Sequence, residues 1–144
     1  MIRKATVLDI SSLIFMLSKM HEETELNVPT INSNKLVSKI NDILHNGIIL
    51  VEVENNKILG SIGGMVCTDW WSDEKYLADC WFYVFPEARK SNIAKSLAND
   101  FLTIAKQAKM KARLGHIFSG DVDRKDNFFK SLGLVKAGSV FMEV

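Results

Sequence analysis

The chain has too few metal and sulfur ligands to build a site from them: two cysteines and three histidines in 144 residues, the histidines scattered at His21, His45 and His116. Neither Cys67 nor Cys80 belongs to a Cys-x-x-Cys, and neither has a histidine at zinc-ligand spacing, so no metal is expected. Each cysteine lies in an apolar strand-like run, the setting of a reduced, buried thiol. Excess charge of one sign is also missing. The formal net charge is +1 and the basic residues form no long block, which excludes the broad footprint of a nucleic-acid binder. Apolar stretches are broken by Asn, Lys or Glu well short of membrane-spanning length, and Met1 Ile2 Arg3 Lys4 opens without an apolar signal core. These absences lead to the expectation of a cytoplasmic protein with no nucleic-acid and no membrane partner.

What is present is an ordinary globular composition, 47% hydrophobic and 24% charged, over a length that suits one domain, residues 1–144. Ile2 to Val7 reads as a strand, and Asp9 can cap a helix whose Ile10, Leu13, Ile14, Leu17 and Met20 recur at helical spacing. After Pro29, Ser33 can cap a second helix, stopped at Asn46 Gly47. Ile48 to Val53 and Lys57 to Val66 flank Glu54 Asn55 Asn56 as a hairpin, and Tyr76 to Phe85 extends the antiparallel order. A helix from Ser91 to Met110, a strand from Arg113 to Phe118, a short helix from Asp123 to Leu132, and a closing strand pair, Leu134 to Ala137 with Ser139 to Val144, complete the reading. No repeats or linkers interrupt it.

One segment carries chemistry. Pro86, one of only two prolines, ends the strand Trp81 Phe82 Tyr83 Val84 Phe85. The chain then passes through Glu87 Ala88 Arg89 Lys90 Ser91 Asn92 into the helix at Ile93 and Ala94. A helix N-terminus presents unpaired N–H groups and about half a positive charge, and Arg89 and Lys90 add two full ones, so the segment is built for an anion such as a phosphate. A nucleotide-binding phosphate loop is excluded, because Gly-x-x-x-x-Gly-Lys-Ser/Thr is absent and 89–94 holds no glycine.

Val-x-Pro-x-x-Arg followed by x-x-Asn-x-Ala resembles the acyl-CoA pyrophosphate signature of the GNAT superfamily of N-acetyltransferases, Arg/Gln-x-x-Gly-x-Gly/Ala, with Arg89, Asn92 and Ala94 in its positions. Asn92 departs from the family's glycine; Asn tolerates positive φ better than other side-chain-bearing residues, which keeps a tight loop available. The opening Ile2 Arg3 Lys4 Ala5 Thr6, with Asp9 and Ile10, is similar to the family's, and Phe128 Phe129 Lys130 Ser131 Leu132 Gly133 Leu134 resembles its late Phe-Tyr-x-x-x-Gly-Phe element. With the element order, the resemblance covers the whole chain. It implies an α/β (α+β) fold with a mixed, mostly antiparallel sheet, a splayed central strand pair and helices on both faces.

The resemblance also implies acetyl-CoA as co-substrate, a primary amine of a small molecule, peptide or protein as acceptor, and no metal; it leaves room for a homodimer. Pantetheine is expected against the backbone of Phe82, Tyr83 and Val84, with the Val84 N–H meeting the thioester carbonyl, and the pyrophosphate against Arg89, Lys90, Ser91, Asn92, Ile93 and Ala94. Asp79 is the one carboxylate between Tyr76 and Phe85, and its apolar neighbours Ala78 and Cys80 favour a raised pKa, which suits a general base; an outward, solvated Asp79 is the structural alternative. Glu22, Glu23 and His116 are lesser candidates. Where the family has its acid, a tyrosine, this chain has Phe129, which can pack on pantetheine but cannot donate a proton. That substitution keeps a second reading open, a non-catalytic acyl-CoA-binding or interaction module. Two acidic loops, Glu22 to Asn27 and Asp69 to Glu74 with Trp70 and Trp71, are expected to attract a cationic amine, against the plainer reading of solvated loops with tryptophans plugging the core edge.

Overall fold

The computed structural model describes residues 1–117 and 120–144. A sheet of five strands runs in spatial order β1 (Ile2–Lys4), β2 (Gly47–Glu54), β3 (Lys57–Thr68), β4 (Lys75–Val84) and β5 (Lys111–Arg113) among the described residues. The first three pairings are antiparallel and β4–β5 is parallel. Asn55 and Asn56 turn the β2–β3 hairpin with φ of 50° and 59°, the left-handed pair that a two-residue turn requires and asparagine tolerates. Helices α1 (Ile10–Glu22) and α2 (Ser33–Asn46) cover one face, α3 (Ile93–Gln107) covers the other, and α4 (Val122–Ser131) follows β5.

Strand periodicity divides the core. Ile49 and Val51 join Leu13, Met16, Ile40 and Ile43 beneath α1 and α2, while Ile48 and Leu50 join Leu97, Phe101 and Ala105 beneath α3. On β4, Trp81 and Tyr83 belong to the first cluster and Leu77 to the second, although all three share the same parity. A β-bulge explains this. The β3–β4 register steps from Gly63↔Trp81 to Gly64↔Asp79, which leaves Cys80 as the extra residue and reverses the faces of β4. Gly63 and Gly64 permit it. A Cβ on Gly63 would stand 2.4 Å from the Trp81 indole, and one on Gly64 would stand 2.5 Å from the Ala78 carbonyl oxygen.

Several boundaries differ from the sequence expectation. The first strand stops at Lys4, because Thr6 and Asp9 form a capping box around a 3-10 turn at Val7–Asp9. Asp9 makes no side-chain cap on α1; its carboxylate accepts from the Thr6 N–H and from the Arg3 guanidinium. Asn32, not Ser33, caps α2 by accepting from the Lys35 N–H. The expected strand from Arg113 to Phe118 is replaced by Lys111–Arg113, with Leu114 to Ile117 outside the sheet and Phe118 outside the described residues. Neither closing strand, Leu134 to Ala137 nor Ser139 to Val144, is present: this tail is non-strand, with Val135, Val140 and Phe141 exposed. A β-prone segment forms no strand without an edge to pair with, and the available edge, β5, is three residues long. Among the described residues no helix is long and apolar enough to cross a membrane.

Candidate active site at the β4–β5 fork

Parallel pairing of β4 with β5 covers only Tyr76↔Lys111, Leu77↔Ala112 and Ala78↔Arg113. Beyond Ala78 the two chains diverge, while β4 stays paired to β3 as far as Val84. The result is a fork whose apex is Asp79. Its Oδ1 accepts from the Gly115 N–H at 3.1 Å, so one carboxylate joins the two arms where the ladder stops. Burial pushes Asp79 up to about 6, against the hydrogen bond from Gly115, which favours the charged form. Half-buried and bonded across the fork, Asp79 has the raised pKa that its apolar neighbours favour, and its carboxylate is not fully solvated.

Above the apex the alternation of the ladder decides which backbone groups are available. The Phe85 N–H donates to the Leu59 carbonyl at 2.9 Å, so with the register Ser61↔Tyr83 and Gly60↔Val84 the amides of Tyr83 face β3, whereas those of Phe82 and Val84 face the open arm. Arg89 is consistent with this, since its Nε donates to the Val84 carbonyl at 2.8 Å. Of the three residues expected against pantetheine, Phe82 and Val84 turn their backbone groups to the open arm, whereas those of Tyr83 pair with β3. Tyr83 turns its ring to the α1–α2 face, and burial, with the Glu23 carboxylate nearby, keeps it a phenol.

The loop from Pro86 to Asn92 enters α3 through a 3-10 turn at Pro86–Ala88. Asn92 occupies the N-cap position with φ −84° and makes no side-chain cap. Its tolerance of positive φ is thus not used, because the loop bends through right-handed residues. Ser91 accepts from the Ile93 N–H and donates to the Ala88 carbonyl, which tightens the turn. Arg89 is engaged more fully than expected. Its Nη2 reaches both oxygens of Glu23, at 3.0 and 2.7 Å, and its guanidinium lies 5.3 Å from the Tyr83 ring centroid. Lys90 is exposed beside it. Lys125 on α4 is a residue that sequence reasoning missed: burial, then the charge of Arg89, lowers its pKa, which puts α4 beside the loop that carries Arg89.

Phe129 and Phe128 both meet Phe82, at centroid distances of 6.3 and 6.0 Å, so α4 lays two rings across the arm on which the backbone of β4 is open. His116 stacks on the other side of Phe129, 5.8 Å between centroids and 6° between planes. Its Nε2 lies 2.8 Å from Asp126 Oδ1, and Asp126 also accepts from Lys136 Nζ at 2.8 Å. Lys136 first, then His116, holds the Asp126 carboxyl below its usual range.

The acidic loops are occupied otherwise than expected. Glu23 is bound to Arg89, and Asp69 accepts two hydrogen bonds from Arg113, which itself covers the Tyr76 ring at 3.6 Å. Trp70 and Trp71 are 96% and 68% exposed and plug nothing. On the α1–α2 face, Cys80 and Trp81 instead open onto a cavity of about 250 Å³ lined also by Leu17, Met20, Leu36 and Lys39. Cys80 is exposed there, contrary to the expected buried thiol, because the bulge displaces it from the alternation. Among the described residues no group of His, Cys, Asp or Glu could hold a metal ion.

The family model for the acetyltransferase (GNAT) family matches residues 14–134. Among solved structures, the chain resembles a predicted acetyltransferase from Clostridium acetobutylicum crystallised with acetyl-CoA, at 18% identity and a TM-score of 0.81 over 100% of this chain and 94% of that one. It also resembles glucosamine-6-phosphate N-acetyltransferase from Arabidopsis thaliana, at 16% identity and TM-score 0.75 over 100% and 97%. The ribosomal-protein-alanine N-acetyltransferase of Brucella melitensis shows 12% identity and TM-score 0.78 over 100% and 96%. No curated protein matches the sequence significantly.

Proposed function

The chain belongs to the acetyltransferase (GNAT) family, and on that footing we propose that it transfers the acetyl group of acetyl-CoA to a primary amine. The fork at Asp79 carries the reading. It combines a strand edge with free backbone donors, a carboxyl group with a pKa of about 6 at the apex, and a helix N-terminus with cations at the mouth.

The acyl donor lies along the open edge of β4, with its pyrophosphate on the first-turn amides of α3 and the loop Arg89 to Ala94, where Lys90 supplies charge. The Val84 N–H, turned away from β3, meets the thioester carbonyl. Such a donor stabilises developing oxyanion charge by up to roughly 3 to 4 kcal/mol. Asp79 takes a proton from the incoming amine, and a carboxylate with a pKa of about 6 is ionised yet still basic at neutral pH.

The acceptor side is read from the cavity at the bulge rather than from the acidic loops. Its lining is apolar and includes the cation Lys39 but no carboxylate. That favours an amine carried on an apolar body over a polycation. The missing hydroxyl at Phe129 favours the second reading, an acyl-CoA-binding module without catalysis. Mixing acetyl-CoA with a panel of primary amines and following free thiol separates the two: amine-dependent thiol release supports transfer, and saturable binding without release supports the module. Absence of binding at millimolar acetyl-CoA would refute both.

A further inference from the structure

We propose that His116 is the general acid of the transfer, taking the place of the hydroxyl that Phe129 lacks; this rests on the acetyltransferase reading above. Three observations converge on the imidazole. It follows Gly115, whose N–H binds Asp79 Oδ1, so the chain after β5 brings a second proton carrier to the apex of the fork, on the arm opposite Asp79. It stacks in near-parallel contact with Phe129, the ring that spans from Phe82 on the open arm. It is oriented by a carboxylate, because Asp126 accepts from Nε2 at 2.8 Å and is itself held by Lys136. The side chain is 18% exposed, so the ring is not sealed in the core.

The arrangement defines the proton's route. With the Nε2–H donated to Asp126, the ring's transferable proton is the one on Nδ1. As the amine nitrogen bonds to the thioester carbon and gives a proton to Asp79, the C–S bond breaks, the electron pair goes to sulfur, and Nδ1 delivers its proton to the departing thiolate. Asp79 then holds one proton too many and His116 one too few, and exchange with solvent resets both. A base and an acid on separate arms suit acyl transfer to an amine, the one serving the nucleophile and the other the leaving thiolate. The charged group that His116 contacts is Asp126 from α4, which also binds Lys136 from the tail; Asp79 lies on the opposite arm, bound to the Gly115 N–H.

The test is steady-state kinetics of the full chain with acetyl-CoA and the best amine of the panel. His116→Gln keeps a donor for Asp126 and removes the acid. It should lower kcat by roughly 100-fold, within the range of general acid catalysis, leave KM for acetyl-CoA within about twofold, and abolish the alkaline limb of the pH profile. Adding Phe129→Tyr to that variant places a phenol in the ring the imidazole stacked on and should recover at least about tenfold, whereas the same substitution in the wild type gains little. Asp126→Asn, which loosens the hold on the imidazole ring, should lower kcat in the same direction but by less than His116→Gln. A His116→Gln protein with wild-type kcat overturns the proposal. So does one that is slow but keeps the alkaline limb and is not rescued by Phe129→Tyr, which would make His116 a structural group. A wild type that transfers acetyl to no amine overturns the parent reading and this one with it, a result distinct from either.

Discussion

Asp79→Asn should impair the enzyme and stabilise the fold, and the two effects should separate with pH. The carboxyl group is pushed from 3.8 to about 6 by burial, with the backbone N–H groups of Gly115 and of Asp79 itself partly compensating. Its folded-state pKa is thus above its unfolded value, so folding favours the protonated form. Stability from this group is fully present below about 4, is lost as pH rises through the window between 3.8 and about 6, and stays lost above it. At 1.36 kcal/mol per pKa unit, a shift of about two units sets a ceiling of roughly 3 kcal/mol on the penalty at neutral pH. Asparagine keeps the Oδ1 acceptor for Gly115 and carries no charge at any pH.

The variant should therefore be more stable than wild type at pH 7.5, by about 1 to 3 kcal/mol, with the gap closing by pH 4. Urea unfolding at four pH values measures it. Turnover should fall by roughly 100- to 10,000-fold, the usual contribution of a positioned base. A variant that is less stable than wild type at pH 7.5, or a gap that does not change with pH, would refute the buried-carboxyl argument. Loss of activity with an unchanged rate–pH profile would refute the assignment of Asp79 as base.

Acetyl-CoA should stabilise the protein by about 2.7 kcal/mol at 100 times its dissociation constant, read as a rise in the thermal midpoint, and no rise at millimolar ligand would contradict the loop assignment. Glu23→Gln frees Arg89 and removes a carboxylate beside the phosphate loop. It should tighten acetyl-CoA a few-fold at low salt and less at high salt, at a stability cost under about 1 kcal/mol for so exposed a pair; calorimetry at two ionic strengths checks both. Gly64→Ala should cost at least roughly 1 to 3 kcal/mol, because the added methyl meets the Ala78 carbonyl and the Phe101 ring and the backbone cannot yield. Denaturant midpoints settle it.

Local chemistry in the sequence foretold what local chemistry decides. The Asn55 Asn56 turn, the amphipathic stripes of α1 to α3 and the Pro86 stop all depend on residues within a turn or two of one another, and all three are present. The position of the bulge has a sequence trace as well: two adjacent glycines inside a strand signal a close approach, and Gly63 and Gly64 are where the Trp81 indole and the Ala78 carbonyl come in. Cys80 is exposed rather than buried because it is the extra residue at the bulge, where the faces of β4 reverse. The end of the chain failed for the opposite reason. Strand propensity in Leu134 to Val144 says nothing about whether an edge exists to receive it, and the length of β5 is set by where its chain leaves β4.

The site divides along the same line. Asp79 could be picked out because an acidic residue between Ala78 and Cys80 in an apolar run must be desolvated, and the structure returns it half-buried with a raised pKa. Partnerships could not be read, since they join residues far apart in the chain: Arg89 with Glu23, and His116 on one arm of the fork with Asp126 on α4. Arg89 illustrates why this matters. As an isolated cation in a loop it looks like a phosphate ligand, but a guanidinium that donates to a carboxylate and to the Val84 carbonyl has most of its fork engaged. Under the proposed function its larger effect on the cofactor would be indirect, holding the end of α1 against the end of β4, with the pyrophosphate resting mainly on Lys90 and the α3 amides. Arg89→Lys, which keeps the charge and loses the two-pronged contact, should then raise KM for the amine more than KM for acetyl-CoA. The reverse order in initial-rate measurements would return Arg89 to the role of a direct phosphate ligand.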